Sequence, residues 1–458
     1  MTDKRHRTAK PHPSDAPKGD RPTTSHVWAF GSTLDRIFRS TVVRGVFATV
    51  LFVLVFLATA KAWRLNIYSP IFYWGDVLEM ASYLGRDYVF NDLRERFFAP
   101  FGIEHASSLR YVINFLLQPN STLFLAAYAV TRDIMAALNL YYLGTFPLVF
   151  LSAYWVYGRL KLSDPFRFGA ATLYALMPFH FERSVGHLME SSYFLVPVFA
   201  YILLLVFNAR PFFHTCVDGA WRLTGRRGRD WVLFGALVFL SSINEYHQLF
   251  FLMLLVIAGV ASCVRHRNPR ILVGAAILLA AVGLSVGGRV VLNNLIAEPG
   301  LERSLVGAPI SGYGGAERFG LKIVQVLLPV NGHRSPFFQT IRATYDAAHE
   351  VNENSTVALG LFGAIGFVYL LGCGVVSIAV RPRKVRILQV ASLLVVGCVL
   401  ITTIGGISSI VATASAVLLG PESILTQVRS YNRIIVFIAF FSYYAASEIG
   451  RASCRERV

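Results

Sequence analysis

Charge is scarce in this sequence. Only 15% of its 458 residues are Asp, Glu, Lys or Arg, against about 25% in a soluble domain. Beside 55% hydrophobic residues, that shortage excludes an ordinary water-soluble domain and points to an integral membrane protein. Strand-like alternation is missing as well, which excludes an outer-membrane barrel; the long runs of Leu, Val, Phe and Ala predict helices. Cysteine is sparse. Cys216, Cys263, Cys373, Cys398 and Cys454 show no metal spacing, which excludes a zinc site and a disulfide framework. There is no internal repeat. Nor is the first apolar run, 42–63, a cleavable signal: it is too long and follows a polar leader of about 40 residues.

What charge there is leans basic, to a net +17. The basic residues are spread between apolar runs rather than gathered on one soluble module, so nucleic acid is not the expected partner. Residues 1–40, with Lys4, Arg5, Arg7, Lys10, Lys18 and Arg21 among Pro, Ser, Thr and Asp, read as a disordered cytoplasmic tail. Residues 41–450 read as a helical transmembrane domain and 451–458 as a short cytoplasmic end. Runs near the ~20 residues that cross a bilayer number about ten, within a range of about 9–11. They are 42–63, 136–157, 167–182, 189–208, 231–244, 247–264, 271–296, 356–380, 387–405 and 432–449.

Alternating sides from a cytoplasmic N-terminus places inside the segments 158–167, 209–230, 265–270 and 381–386 and the end of the chain. All are short and rich in Arg and Lys, as the positive-inside rule expects. The long segments fall outside: 64–135, 297–355 and 406–431. In the first, 78–97 and 106–131 read as helices lying at the interface. The loop 297–355 has little apolar content and many Gly and Pro residues, and loops of that length are functional or disordered. The stretch 406–431, interrupted by Gly420-Pro421, is either a re-entrant helix or an eleventh span.

Four polar constellations stand at the outer side. In "YWGDVLEM", Asp76 and Glu79 are three apart and share a helix face. A carboxylate at the mouth of a lipid-lined cavity is partly desolvated and gains strength as a base; equally, D-x-x-E is a capping box. "PFHFERSVGHLMESS" offers His180, Glu182, Arg183, His187 and Glu190. Ionisable groups at membrane depth are functional candidates, though a solvated turn explains them too. "NEYHQ" places Glu245 and His247 within apolar flanks, where they need partners unless they form a plain hairpin tip. Lys322, His333, Arg334, Arg342, Arg429 and Arg433, with Tyr431 and Asn432 in "RSYNR", run against the topology bias. Arginine suits a bidentate grip on phosphate, and neutralised lipid headgroups are the other explanation. Arg289, inside or at the edge of a span, needs an acid or a cavity. The sequons at Asn120 and Asn354 carry meaning only in a host that glycosylates.

The order of these pieces carries a resemblance. "SPIFYWGDVLEM", "APFG", "LNLYYLGTFPLVFLSAYWV", "ALMPFHFERSVGHLMESSYFLVP", "LLPVNGHRSPF", "ENSTVALGLFGAIGF" and "VRSYNRIIVFIAFFS" follow one another over about residues 65–445. This resembles bacterial membrane proteins of the GT-C glycosyltransferase superfamily, including sugar translocase and mannosyltransferase-like chains. The resemblance implies an all-α polytopic fold in the bacterial inner membrane, and a hexosyltransferase-type activity on its periplasmic face. The donor would be a polyprenyl-phosphate-linked sugar; the acceptor would be a glycan, lipid or protein; membrane lipids would be the remaining partners. Asp76 becomes the catalytic base, with Glu79 beside it. His180, Glu182, Arg183, His187, Glu245, His247, His333, Arg334, Arg429, Tyr431, Asn432 and Arg433 become candidates for holding the substrate, Arg334, Arg429 and Arg433 for its phosphate. No cofactor is implied, and the first loop lacks the D-x-D pair that would support a divalent metal. The chain stops at "GRASCRERV", where similar chains continue, and is expected to be truncated there. A transporter or flippase of a lipid-linked sugar or polysaccharide is the alternative; it needs ionisable groups near the midplane.

Overall fold

The computed structural model describes residues 41–69, 71, 119–184, 187–208, 212, 214–217, 220–223, 231–232, 234–237, 245–269, 271–296, 314–379, 387–420 and 430–455. The chain divides into two compact units, Met1–Phe47 and Ala48–Val458. Of the first, the described residues open a helix. The helices longer than ten residues are α1 (Thr41–Ala60), α2 (Pro119–Thr131), α3 (Ile134–Arg159), α4 (Asp164–Ala175), α5 (Val196–Phe207) and α6 (Glu245–His266). They continue with α7 (Ile271–Ile296), α8 (Pro336–Ala348), α9 (Gly360–Ala379), α10 (Ile387–Thr402), α11 (Ile407–Leu419) and α12 (Ile435–Arg455). Apart from a two-stranded antiparallel hairpin, His214–Val217 with Ala220–Leu223, the described elements are helical. Among the described residues, five stretches are long and apolar enough to cross a membrane: Val42–Ala60, Met135–Arg159, His247–His266, Gly360–Ser377 and Tyr431–Cys454.

The second unit is built round α12. Its run "IIVFIAFFSYYAA" is apolar on every face, and a helix of that kind must be surrounded; residues 434–446 are buried without interruption. Tyr157 donates to the Phe440 carbonyl at 2.9 Å and Tyr174 to that of Val436 at 3.1 Å, so α3 and α4 are pinned along it. α9 comes closer still: a Cβ on Gly366 would lie 1.9 Å from the Ser442 carbonyl oxygen. Such contact between backbones needs a residue with no side chain. α1 stacks Phe52 on Phe150 at 4.4 Å and Phe56 on Phe146 at 4.5 Å.

Several expected spans are broken. The stretch 167–182 is interrupted: α4 ends at Ala175 and a separate helix, Pro178–Arg183, follows. The residue before a proline is driven from the helical region, and Met177 is extended at φ −65°, ψ 151°. The stretch 189–208 is also broken, into Leu188–Ser191 and α5, which carries Pro197 in its first turn, where a proline is tolerated. The expected loop 297–355 holds ordered helices over its described part, Gly315–Arg318, Ile323–Leu327 and α8. α11 ends at Gly420, whose φ of +96° stops the helix. Of the expected span 231–244, only 231–232 and 234–237 are described.

The bundle has two chemically distinct ends. At one, Arg167 donates from Nε to the Tyr154 carbonyl at 2.6 Å, and Arg451 reaches the Lys161 carbonyl at 3.2 Å. The residues there are those that the sequence assigns to inside loops. The other end holds the termini of Pro178–Arg183, the turn Glu353–Val357 that leads into α9, and the turn Tyr431–Ile434 that leads into α12.

Candidate functional site: a buried ionic cluster

Three segments far apart in sequence meet at that second end. The helix Pro178–Arg183 ends at Ser184, with φ +49°, which turns the chain towards His187 and the short helix Leu188–Ser191. Arg183 sits in its last turn and Glu190 in the following helix. From the C-terminal half come Glu353, in the 3-10 turn before α9, and Arg433, in the 3-10 turn before α12.

The four side chains form a closed set of ion pairs. Arg183 Nη1 stands 3.1 Å from Glu190 Oε2 and 2.9 Å from Glu353 Oε2. Arg433 Nη2 stands 2.6 Å from Glu190 Oε1 and 3.2 Å from Glu353 Oε2. Each arginine thus touches both acids, and the formal charge sums to zero. Arg183, Glu190 and Arg433 are almost wholly buried, whereas the Glu353 side chain keeps 22% of its surface. Ser430 donates to Glu353 Oε1 at 3.3 Å, and Arg183 Nη2 also reaches the Glu353 carbonyl, Thr356 and Asn432 Oδ1. Burial alone would raise the Glu353 carboxyl; Arg183 and Arg433 outweigh it and hold the group at about 2. Burial likewise keeps the His187 imidazole below its usual range, so at neutral pH it is an uncharged donor or acceptor beside the cluster.

His187, Glu190 and Glu353 bring donor atoms within 4.8 Å of one another, a spacing that a metal ion could use. The arginines argue against it. Both Glu190 oxygens and Glu353 Oε2 already face guanidinium groups, and a divalent cation there would be set against two positive charges. The donor set reads as an ion-pair network.

Arg183, His187, Asn432 and Arg433 are therefore brought together, as the sequence-derived set allows. His180 is buried nearby but engaged: Nε2 pairs with Thr145 Oγ1 at 2.8 Å, Nδ1 with the Ala175 carbonyl at 2.9 Å, and its ring stacks on Phe146 at 3.7 Å. Nδ1 ties the short helix back to the end of α4, and Nε2 ties it to α3. Glu182 is half-buried; burial pushes its carboxyl up to about 7, with Arg342 and Arg183 pulling the other way. Tyr431 is buried 6.2 Å from the Phe250 ring, and His247, in the first turns of α6, is buried 6.4 Å from the Tyr193 ring. His333 packs on Phe338 and accepts from the Ser335 amide, while Arg334 is exposed. Glu245 begins α6. Asp76, Glu79 and Arg429 lie outside the described residues.

Glu353 is the member that motif reading passed over. Its signal was present in "ENSTVALG": an acid a few residues ahead of an apolar run, where a charge needs a partner. Comparison with protein-family models, curated proteins and solved structures returns no match.

Proposed function

We propose that the chain is a polytopic membrane glycosyltransferase of GT-C type that works at the end of the bundle holding the Arg183–Glu190–Arg433–Glu353 cluster. Its donor is a polyprenyl-phosphate-linked sugar and its acceptor a hydroxyl presented at the outer face of a bacterial inner membrane, in a chain of about ten spans with a cytoplasmic N-terminus. One observation carries the reading most. Arg183, Glu190 and Arg433, at the ends of expected spans, meet Glu353 of the outside segment 297–355 in one buried ionic cluster, while Arg167, Lys161 and Arg451 of the inside segments stand at the opposite end.

In this reading Asp76 takes the proton of the acceptor hydroxyl, which attacks the anomeric carbon as the bond to phosphate breaks. The electrons of that bond leave on the phosphate oxygen. The two guanidinium groups, held in place beforehand by Glu190 and Glu353, face the leaving phosphate as preorganised charge, the form of stabilisation that costs least at the moment of reaction. Glu182 and His187 stand at the same end and tune proton traffic there. The transporter alternative needs ionisable groups at mid-depth; the described cluster lies at helix ends, which favours transfer.

The test is donor turnover. Purified wild type and Asp76→Asn, in detergent, receive radiolabelled polyprenyl-phosphate sugars, and released polyprenyl phosphate is counted. Turnover by wild type and its loss in the variant at equal thermal stability is the expected outcome. A wild type that consumes no donor but moves one across liposomes makes the chain a transporter.

A further inference from the structure

Helix α8, in the segment that the sequence presents as a Gly- and Pro-rich loop, is amphipathic in an unusual sense. At 3.6 residues per turn, Phe337, Phe338 and Ile341 share one face. Their relative exposures are 67%, 40% and 37%. The one buried residue of the helix is its arginine: Arg342 is 1% exposed. Its Nε donates to both carboxylate oxygens of Asp346, at 2.8 and 2.9 Å, and its Nη1 to the Pro329 carbonyl at 3.2 Å. A helix on a water-facing surface does the reverse, burying its apolar stripe and exposing its charge. Single exposed apolar residues are ordinary; three large ones on one face, beside a buried arginine, indicate an apolar surrounding.

What surrounds them is indicated by the neighbouring surface. The short helix Ile323–Leu327, two residues before Pro329, leaves Ile323, Val324 and Leu327 outward. The Leu359 amide donates to the Val326 carbonyl at 3.2 Å, which fixes this helix at the start of α9. The first turns of α9, a stretch able to cross a bilayer, expose Leu361 and Phe362. The apolar surface of a membrane-crossing helix therefore continues through Ile323–Leu327 to the segment that Arg342 anchors. Arg334, exposed just ahead of α8, is placed to meet anionic headgroups.

We propose that α8 is an interfacial helix whose Phe337–Phe338–Ile341 face docks on a phospholipid bilayer, at the level where α9 enters it. The helix would fix the cluster-bearing end of the bundle at headgroup depth. The proposal stands on packing and exposure and does not need the transferase reading.

A photo-crosslinking residue decides it. Full-length chains carrying p-benzoylphenylalanine in place of Phe337, or in place of Gln339 on a different face of the helix, are reconstituted in liposomes of phosphatidylcholine and phosphatidylglycerol and irradiated. Peptide mass spectrometry is expected to find lipid adducts on α8 several-fold more abundant from position 337 than from 339. A covalent dimer from position 337 instead would show that a second copy covers this face and would overturn the proposal. So would equal labelling from both positions, or no lipid adduct from 337.

Discussion

Arg433 Nη2 stands 2.6 Å from Glu190 Oε1, joining the turn before α12 to the short helix Leu188–Ser191 before α5. Both side chains are almost wholly buried, so neither has water to fall back on. Breaking such a pair leaves an uncompensated charge and costs roughly 3–5 kcal/mol, more than the net worth of the pair itself. Glu190→Ala is therefore expected to lower the midpoint of thermal unfolding in detergent sharply. Because Arg433→Ala removes the other half of the same contact, the double variant is expected to lose less than the sum of the singles. Strict additivity in that cycle would mean that the pair is not formed.

Glu353 makes the cluster acid-sensitive. Its carboxyl is held at about 2 against an ordinary 4.5, so the folded state favours the ionised form. The stability it supplies, on the order of 3 kcal/mol, is complete above the unfolded value and drains as pH falls through the folded one. Between about pH 5 and pH 3, wild type is expected to lose unfolding midpoint more steeply than Glu353→Gln, which has no carboxyl to titrate. Parallel slopes would contradict the pairing with Arg183 and Arg433.

The close approach of the α9 backbone to the α12 backbone depends on Gly366. A Cβ at position 366 would meet the Ser442 carbonyl oxygen at 1.9 Å, and backbone does not give way as a side chain does. Gly366→Ala is expected to push the helices apart and destabilise the chain by about 1–3 kcal/mol. Gly372→Ala, where nothing lies within 4 Å of the added atom, is expected to be silent. Both are read by the fraction of monodisperse protein surviving a heat step.

Composition and run length were enough to expect a helical, bilayer-crossing chain, because burying backbone in lipid leaves few other forms. α1, α3, α6, α9 and α12 all fall where apolar runs predict them. The break at Pro178 was less legible, since the run there stays apolar and only the proline rule marks the stop; the break before α5 follows Ser191 in a run that is no less apolar. α8 was hidden because its stripe lies in a segment rich in glycine and proline and its one buried residue is an arginine. The cluster was legible only in part: Arg183 and Arg433 stand out as charges beside apolar runs, but Glu353 lies 170 residues from Arg183, and no local pattern pairs them.

The two ends of the bundle offer the most direct test of where the chain works. Arg433→Lys keeps a charge in the cluster but replaces the planar guanidinium, whose Nη2 touches both acids, with an ammonium on a differently shaped stem; Arg451→Lys makes the same change at the opposite end. Turnover of radiolabelled polyprenyl-phosphate sugar is measured for each, with thermal stability alongside. Losing one preorganised donor costs roughly 10²–10³ in rate, so Arg433→Lys is expected to fall by about that factor at retained fold while Arg451→Lys keeps wild-type turnover. Equal activity in the two variants, or a greater loss from Arg451→Lys, would contradict the proposal that the chain is a transferase working at the ionic cluster.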